Sequence, residues 1–290
     1  MLKEIKEIRD GVCRITTISE RWYSRDSKNI ITGIPEMKFY PSSTWIKGYY
    51  YKSPYLQKWI NEVGADEAEV IKKEAGVKGD KVHQATEDID KGKGIKIDDK
   101  YLNKQTMEME ELTGEEIEAI MTYRNWVDEV KPELVANEMT VFGERGEMIW
   151  AGTLDRIFRI DGQIYIVDLK TSKNIQKDML IQVASYSHAD IDYKALNITD
   201  EEWSNRKSAI LLIGYKLNKN GYRFVEVDDR FDLFEVSYKI WQEENPNTKP
   251  FQRDYPLVIQ SEWINQKLQG ENQEVLKEIK KGKSKVASKK

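Results

Sequence analysis

The sequence predicts a mixed α/β fold: a central mixed β-sheet flanked by helices, preceded by a helical and irregular N-terminal part. Three observations predict it. Helical spacing of apolar residues dominates positions 43–130. Strand-like runs follow over 138–142, 148–160 and 163–169, and a helix over 176–190 then leads to a second strand pair. The chain has 290 residues, 39% hydrophobic and 33% charged, with a mean hydropathy of -0.69. That hydrophobic share supports a core and is too high for a wholly disordered chain. No apolar run nears the roughly 18 residues of a membrane helix, and nothing near Met1 resembles a secretory signal. A soluble, cytoplasmic or otherwise intracellular protein without membrane partners is expected. The single cysteine, Cys13, excludes an internal disulfide framework and any four-thiolate zinc or iron–sulfur site.

Taken in order, residues 14–18 and 30–34 mix β-branched and aromatic residues with turn residues and read as short strands or an irregular arm. At Tyr40-Pro41-Ser42-Ser43-Thr44 the proline fixes one backbone angle and the hydroxyls can cap a helix, which starts near Ser43. Leu56, Trp59, Ile60 and Val63 recur at helical spacing up to Gly64. Two more helices, 65–75 and 80–90, are expected with Gly76 and Gly79 between them. Residues 91–100 are charged and glycine-containing, a loop. The next helix, 115–130, has Thr113 as its cap, Pro132 beyond its end, and Ile117, Ile120, Met121 and Trp126 on one side. Asp161-Gly162 between two apolar runs is a strong hairpin signal. Residues 209–215 and 222–227 read as a strand pair, 233–244 as a helix, and 261–280 as a last helix entering a lysine-rich tail. One domain over residues 1–270 is expected, divided into an arm (1–39), a mainly helical part (40–135) and a sheet core with flanking helices (136–270). Residues 271–290 are expected to be a helix end and a disordered basic tail.

The net charge is -4, from 46 basic and 50 acidic side chains, which argues against a protein that coats itself with nucleic acid. The average hides local runs. Glu108, Glu110, Glu111, Glu115, Glu116 and Glu118 make one stretch acidic, read as a solvated face. Lys280, Lys281, Lys283, Lys285, Lys289 and Lys290 make the end cationic: an arm that holds a polyanion loosely, or a solubility tail.

The chemistry concentrates in Gly152-Thr153-Leu154-Asp155-Arg156 and Asp168-Leu169-Lys170-Thr171. A carboxylate ending an apolar strand, as Asp168 does after Ile164, Ile166 and Val167, is costly unless paired or bound to a metal. With Asp161-Gly162 as a two-residue turn, Ile160 pairs with Gln163 and Asp155 comes opposite Asp168. Two opposed acids repel in a sheet, and a divalent cation turns that repulsion into a binding site. The competing reading is an ordinary sheet edge with Asp168–Lys170 or Asp155–Arg156 ion pairs. His83 and Glu87 lie one turn apart on one helix face, as do Gln182 and Tyr186.

Gly79-x-x-x-His83-x-x-x-Glu87, Gly152-Thr153-Leu154-Asp155-Arg156, Asp168-Leu169-Lys170-Thr171 and Gln182-x-x-x-Tyr186, in that order, resemble the RecB-like branch of the PD-(D/E)XK nuclease superfamily. The stretch from Tyr40 onward also looks like phage exonucleases and the mitochondrial genome-maintenance exonuclease. The resemblance spans about Tyr40 to Tyr186, with residues 251–256 compatible. It implies a PD-(D/E)XK restriction-endonuclease-like core. It also implies that Asp155, Asp168, the Leu169 carbonyl and His83 ligate one or two Mg²⁺ or Mn²⁺ ions. Lys170 would orient or help deprotonate the attacking water, and Gln182 and Tyr186 would hold the DNA strand or buttress the metal face. Glu138 matches a frequent acid on the preceding strand, and Glu87 would orient His83 or a metal water. Arg156, Lys170, Thr171, Lys173 and Lys177 are candidates for a DNA groove. Trp45, Tyr49, Tyr50 and Tyr51 stack on bases or pack under the arm.

The activity so implied is a metal-dependent deoxyribonuclease, most simply an exonuclease of phage or prokaryotic replication, recombination or repair. Its partners would be DNA and other replication or recombination proteins. Phosphodiester hydrolysis suits such a site, since a cation and a neighbouring ammonium offset the charge that develops on phosphate. The cysteine count excludes the iron–sulfur subgroup of this branch, and no phosphate-cradling G-x-x-x-x-G-K-[ST] loop is present. Two other readings are a non-catalytic DNA-binding or scaffold subunit and a restriction-type endonuclease. The first is expected to have lost Asp155, Asp168 or Lys170, all of which are present. The second needs a recognition module, for which the sequence offers no candidate.

Overall fold

A computed structural model describes residues 3–9, 11–17, 20–28 and 35–250. The expected strand at 30–34, the helix at 261–280, residues 251–256 and the basic tail lie outside the described residues. Strands β1 (Lys3–Arg9), β2 (Val12–Thr17), β3 (Arg21–Lys28) and β4 (Pro35–Pro41) form an antiparallel sheet in chain order. Its last strand hands the chain to α1 (Ser43–Lys47), which Ser42 caps by accepting from the Trp45 N–H. The helix expected to run on to Gly64 breaks in two. Ser53 caps a second helix, α2 (Pro54–Val63), whose first residue is proline, the one helical position where a missing N–H costs nothing.

Helix α3 (Ala65–Asp90) is continuous over 26 residues, correcting the expected pair of helices. Gly76 and Gly79 sit inside it, with nothing within 4 Å of where a Gly76 side chain would begin. An interior glycine weakens a helix by about 1 kcal/mol but does not end it, and here burial of Val82 and Ala85 anchors the second half. Strands β5 (Lys100–Asn103) and β6 (Glu108–Glu111) make a short hairpin absent from the sequence expectation, inside what reads as charged surface. Helix α4 (Gly114–Val130) opens with a capping box between Thr113 and Glu116. Part of the acidic run is therefore structural: Glu116 is buried and meets the buried Lys81 ammonium at 3.0 Å. Met121, expected on the apolar side of α4, is exposed.

The main sheet has the order β11-β10-β9-β8-β7, made by β7 (Glu133–Arg145), β8 (Met148–Ile160), β9 (Gln163–Lys170), β10 (Lys207–Ile213) and β11 (Tyr222–Val227). All neighbours are antiparallel except β9 and β10. Asp161 and Gly162 both have positive φ, as the tight two-residue hairpin requires, and Ile160 pairs with Gln163 as expected. Between β9 and β10 run α5 (Lys177–Ser187) and the short α6 (Asp200–Ser204); α7 (Phe231–Glu244) follows β11. This is a mixed α/β architecture.

Alternation along the strands divides the core. Phe158, Val167, Leu169, Ala209 and Leu211 pack with Val82, Ala85, Tyr123 and Trp126 of α3 and α4. Leu154, Ile157, Ile164 and Ile166 pack with Val183 and Tyr186 of α5. A third cluster ties Trp22 and Ile46 to Trp150, Phe234 and Trp241. The N-terminal sheet is stitched to the main one by a Ser42–Ala151 bridge and by Tyr40, whose ring packs edge-on against Phe142 and whose hydroxyl donates to Glu144. Among the described residues, no helix is long and apolar enough to cross a membrane.

Candidate metal centre

The site begins with a break in alternation on β8. Leu154 and Ile157 pack on the same side, though a regular strand would place them on opposite faces. The intervening Asp155 and Arg156 both turn to α3, one reaching His83 and the other Asp90. The neighbouring strand breaks step with it. Asn137 pairs with Arg156 and Met139 with Leu154, which leaves Glu138 opposite Asp155 in the register, and Glu138 has φ +48. A non-glycine residue in the left-handed region carries strain of about 1–3 kcal/mol and is held there by its surroundings. Two acids are thus opposed across neighbouring strands on the β7 side, while the β8–β9 register, which pairs Arg156 with Val167, brings Asp168 opposite Asp155 at the next position, as expected.

His83 of α3 closes the group. Its Nδ1 lies 3.7 Å from Asp155 Oδ1 and 3.9 Å from Glu138 Oε1. Its Nε2, 3.0 Å from the Leu169 carbonyl, must donate there, which leaves the Nδ1 lone pair of the neutral ring facing the two carboxylates. Candidate ligand atoms of His83, Glu138 and Asp155 all lie within 4.8 Å of one another, so this partly buried cluster can hold a metal ion. Asp155 is oriented by the Leu169 N–H, which donates to Oδ2 at 2.7 Å. Burial pulls the His83 imidazole down, but Asp155 and Glu138 outweigh it and hold its pKa above the usual value.

Asp168, expected as a ligand, is fully buried and is not among the three residues whose ligand atoms gather within 4.8 Å. Lys170 Nζ forms an ion pair with Oδ2 at 2.6 Å, and Oδ1 has no hydrogen-bond partner. Burial drives the Asp168 carboxyl upward, against the pull of Lys170. His83, Glu138 and Asp155 are a donor set that fits a divalent cation, and Asp168, within the field of Asp155, adds a buried carboxylate with an unpartnered oxygen nearby. With nitrogen and carboxylate oxygen together, Mn²⁺ is suited as well as Mg²⁺. The Leu169 carbonyl, expected as a ligand, instead accepts from His83 and, at 3.3 Å, from Lys170, and so orients both side chains.

Arg156 is a correction to the expected groove. Its guanidinium is buried, ion-paired to Asp90, and donates to the Asp155 carbonyl at 2.9 Å, Thr86 Oγ1 at 3.3 Å and Glu138 Oε1 at 3.4 Å. It holds the acids from behind. Glu87 pairs with Lys91 at 2.6 Å rather than turning to His83. Thr171 is half-buried near Gly79, and Lys173 and Lys177 are exposed. Trp45 packs against Trp22 and Trp241, and Tyr49 and Tyr50 join that cluster; only Tyr51 of the four is well exposed.

On α5, Gln182 donates to the Tyr186 hydroxyl at 2.8 Å. The Tyr186 ring occupies the space above Gly152, where an added Cβ would come within 2.5 Å of the ring. Two of the sequence motifs are therefore one packed unit. Sequence reasoning missed Lys47, which donates to Gln182 Oε1 at 2.6 Å and pairs with Asp178 at 3.2 Å. Its only sequence signal is its place at the end of the helix that Ser42 caps. Burial pulls the Lys47 ammonium down and Lys170 adds to that, while Asp178 and Asp168 oppose it. No protein-family model and no curated protein matches the chain.

Proposed function

We propose that this chain is a metal-dependent deoxyribonuclease of the PD-(D/E)XK type, RecB-like branch, hydrolysing DNA phosphodiester bonds with Mg²⁺ or Mn²⁺. Its proposed setting is phage or prokaryotic replication, recombination or repair. The observation that carries the reading is the gathering of His83, Glu138 and Asp155 within 4.8 Å, beside the Asp168–Lys170 pair. His83 Nδ1, Glu138, Asp155 and Asp168 would hold the cation, which when bound supplies Lewis acidity toward phosphate and a more acidic water.

The chain's own groups do the rest. The Leu169 N–H keeps Asp155 aimed into the cluster. Lys170, its side chain only 21% exposed, sets a fixed positive charge against a phosphate oxygen or orients the water that attacks it. Tyr186, wedged on Gly152, walls one side. The exonuclease assignment follows the resemblance to phage and mitochondrial exonucleases.

The test is digestion of end-labelled single- and double-stranded DNA with Mg²⁺, Mn²⁺ or EDTA, with a circular substrate alongside. Cleavage that needs the cation and spares the circle is expected. Asp168→Asn or Lys170→Ala is expected to lower the rate by about 10²–10³-fold or more while leaving the fold and most DNA binding intact. Full Mg²⁺-dependent cleavage by either variant would refute the reading. Binding without any cleavage would favour a non-catalytic subunit, and discrete fragments from the circle a restriction-type enzyme.

A further inference from the structure

We infer that Lys47 is a second ammonium group of the site, contacting a non-bridging oxygen of the substrate's phosphodiester; the inference rests on the nuclease reading and deepens it. Three observations carry it. The first is position. Lys47 ends α1 and reaches across to α5, where Gln182 Oε1 lies 2.6 Å away and Gln182 in turn donates to Tyr186 above Gly152. The ammonium is thereby wired to the strand that carries Asp155.

The second is its coordination. An ammonium has three N–H donors. Gln182 takes one and Asp178, at 3.2 Å, takes another, which leaves a third on a side chain that is only 13% exposed. A covered cation with a donor to spare suits a ligand oxygen better than it suits bulk water. Asp178 itself is 43% exposed, so its carboxylate can move into solvent at little cost when an anion arrives.

The third is charge. The Lys170 and Asp168 charges both act on the Lys47 ammonium, the first opposing its charge and the second favouring it. Two ammonium groups within each other's field repel until an anion comes between them. A cation held by the acids leaves Asp168 less able to neutralise the lysines, which strengthens their demand for a phosphate.

The test uses Lys47→Met and Lys47→Arg in the full chain. Anisotropy of a labelled single-stranded oligonucleotide is measured with Ca²⁺ in place of Mg²⁺, across a salt series. Lys47→Met is expected to bind about ten-fold more weakly, with the salt slope reduced by about 1. Lys47→Arg should restore most of the affinity, and Mn²⁺ affinity by calorimetry should match the wild type in both. Lys47→Met binding with unchanged affinity and slope overturns the inference. So does weaker binding that tracks a lowered Tm and is not rescued by arginine, since that describes a structural tie. A wild-type protein that cleaves DNA while Lys47→Met binds normally sinks the phosphate contact alone. A wild-type protein that binds through Lys47 yet never cleaves sinks the nuclease reading and leaves the contact standing. Failure of the wild type to bind the oligonucleotide at all overturns both.

Discussion

At Gly152 the absence of one methyl group connects two motifs. A Cβ there would lie 2.5 Å from Tyr186 Cε1 and 3.2 Å from Ser43 Oγ. The Tyr186 ring is buried and cannot retreat, being in the cluster of Leu154, Ile157 and Val183. Gly152→Ala is therefore expected to cost about 1–3 kcal/mol through overpacking, read as a lowered urea midpoint with an unchanged slope. Unaltered stability would show that the ring can move aside. Other residue-scale features were legible in part. Opposed carboxylates near the Asp161-Gly162 hairpin emerge from counting along antiparallel strands. That count sees neither the break in alternation at Asp155 nor Glu138 on its other side, and glutamate carries no sequence signal for positive φ. Lys47 was illegible for a different reason: a lysine at a helix end reads as surface until the partner helix is placed.

Elements were readable where periodicity is long and turns are specific, and less so where short pieces or glycines intervene. Strand β8 runs over the residues read as strand-like, and the capping box of α4 is visible as Thr113 three residues before Glu116. The β5–β6 hairpin escaped because four-residue strands rich in charge lack an apolar alternation. Helix α3 shows how glycine misleads. Two glycines within four residues suggest a terminus, yet the backbone continues through both as helix. Nothing lies within 4 Å of a Gly76 side chain, so Gly76→Ala meets no steric cost and gains helix propensity. It is expected to stabilise the protein by up to about 1 kcal/mol, measured by chemical denaturation. A loss of stability would mean that the helix bends at this point in solution.

Across the whole molecule, the cluster joins elements that are far apart in the chain. His83 comes from α3, Glu138 from β7 and Asp155 from β8, with Leu169 of β9 bonded to two of them. A cation bound there cross-links helix and sheet, and it binds the folded state alone. At a hundredfold excess over its Kd, such a ligand adds about 2.7 kcal/mol of stability. Mn²⁺ is therefore expected to raise the Tm, EDTA to reverse the rise, and His83→Ala or Glu138→Ala to remove most of it. The pH dependence has a definite sign. Burial lowers the His83 pKa, but Asp155 and Glu138 raise it further than burial lowers it. Without a cation, the protonated ring stabilises the fold below its unfolded value of about 6.5, and that contribution fades as pH climbs through the raised folded value. The proton on Nδ1 also competes with the cation for the same lone pair. The Mn²⁺-induced rise in Tm should thus grow with pH through that window in the wild type, and differential scanning calorimetry at several pH values checks it. In His83→Ala the residual shift should lose this dependence. A Tm rise that is equally large in that variant, or that shrinks as pH increases, would place the cation elsewhere on the molecule.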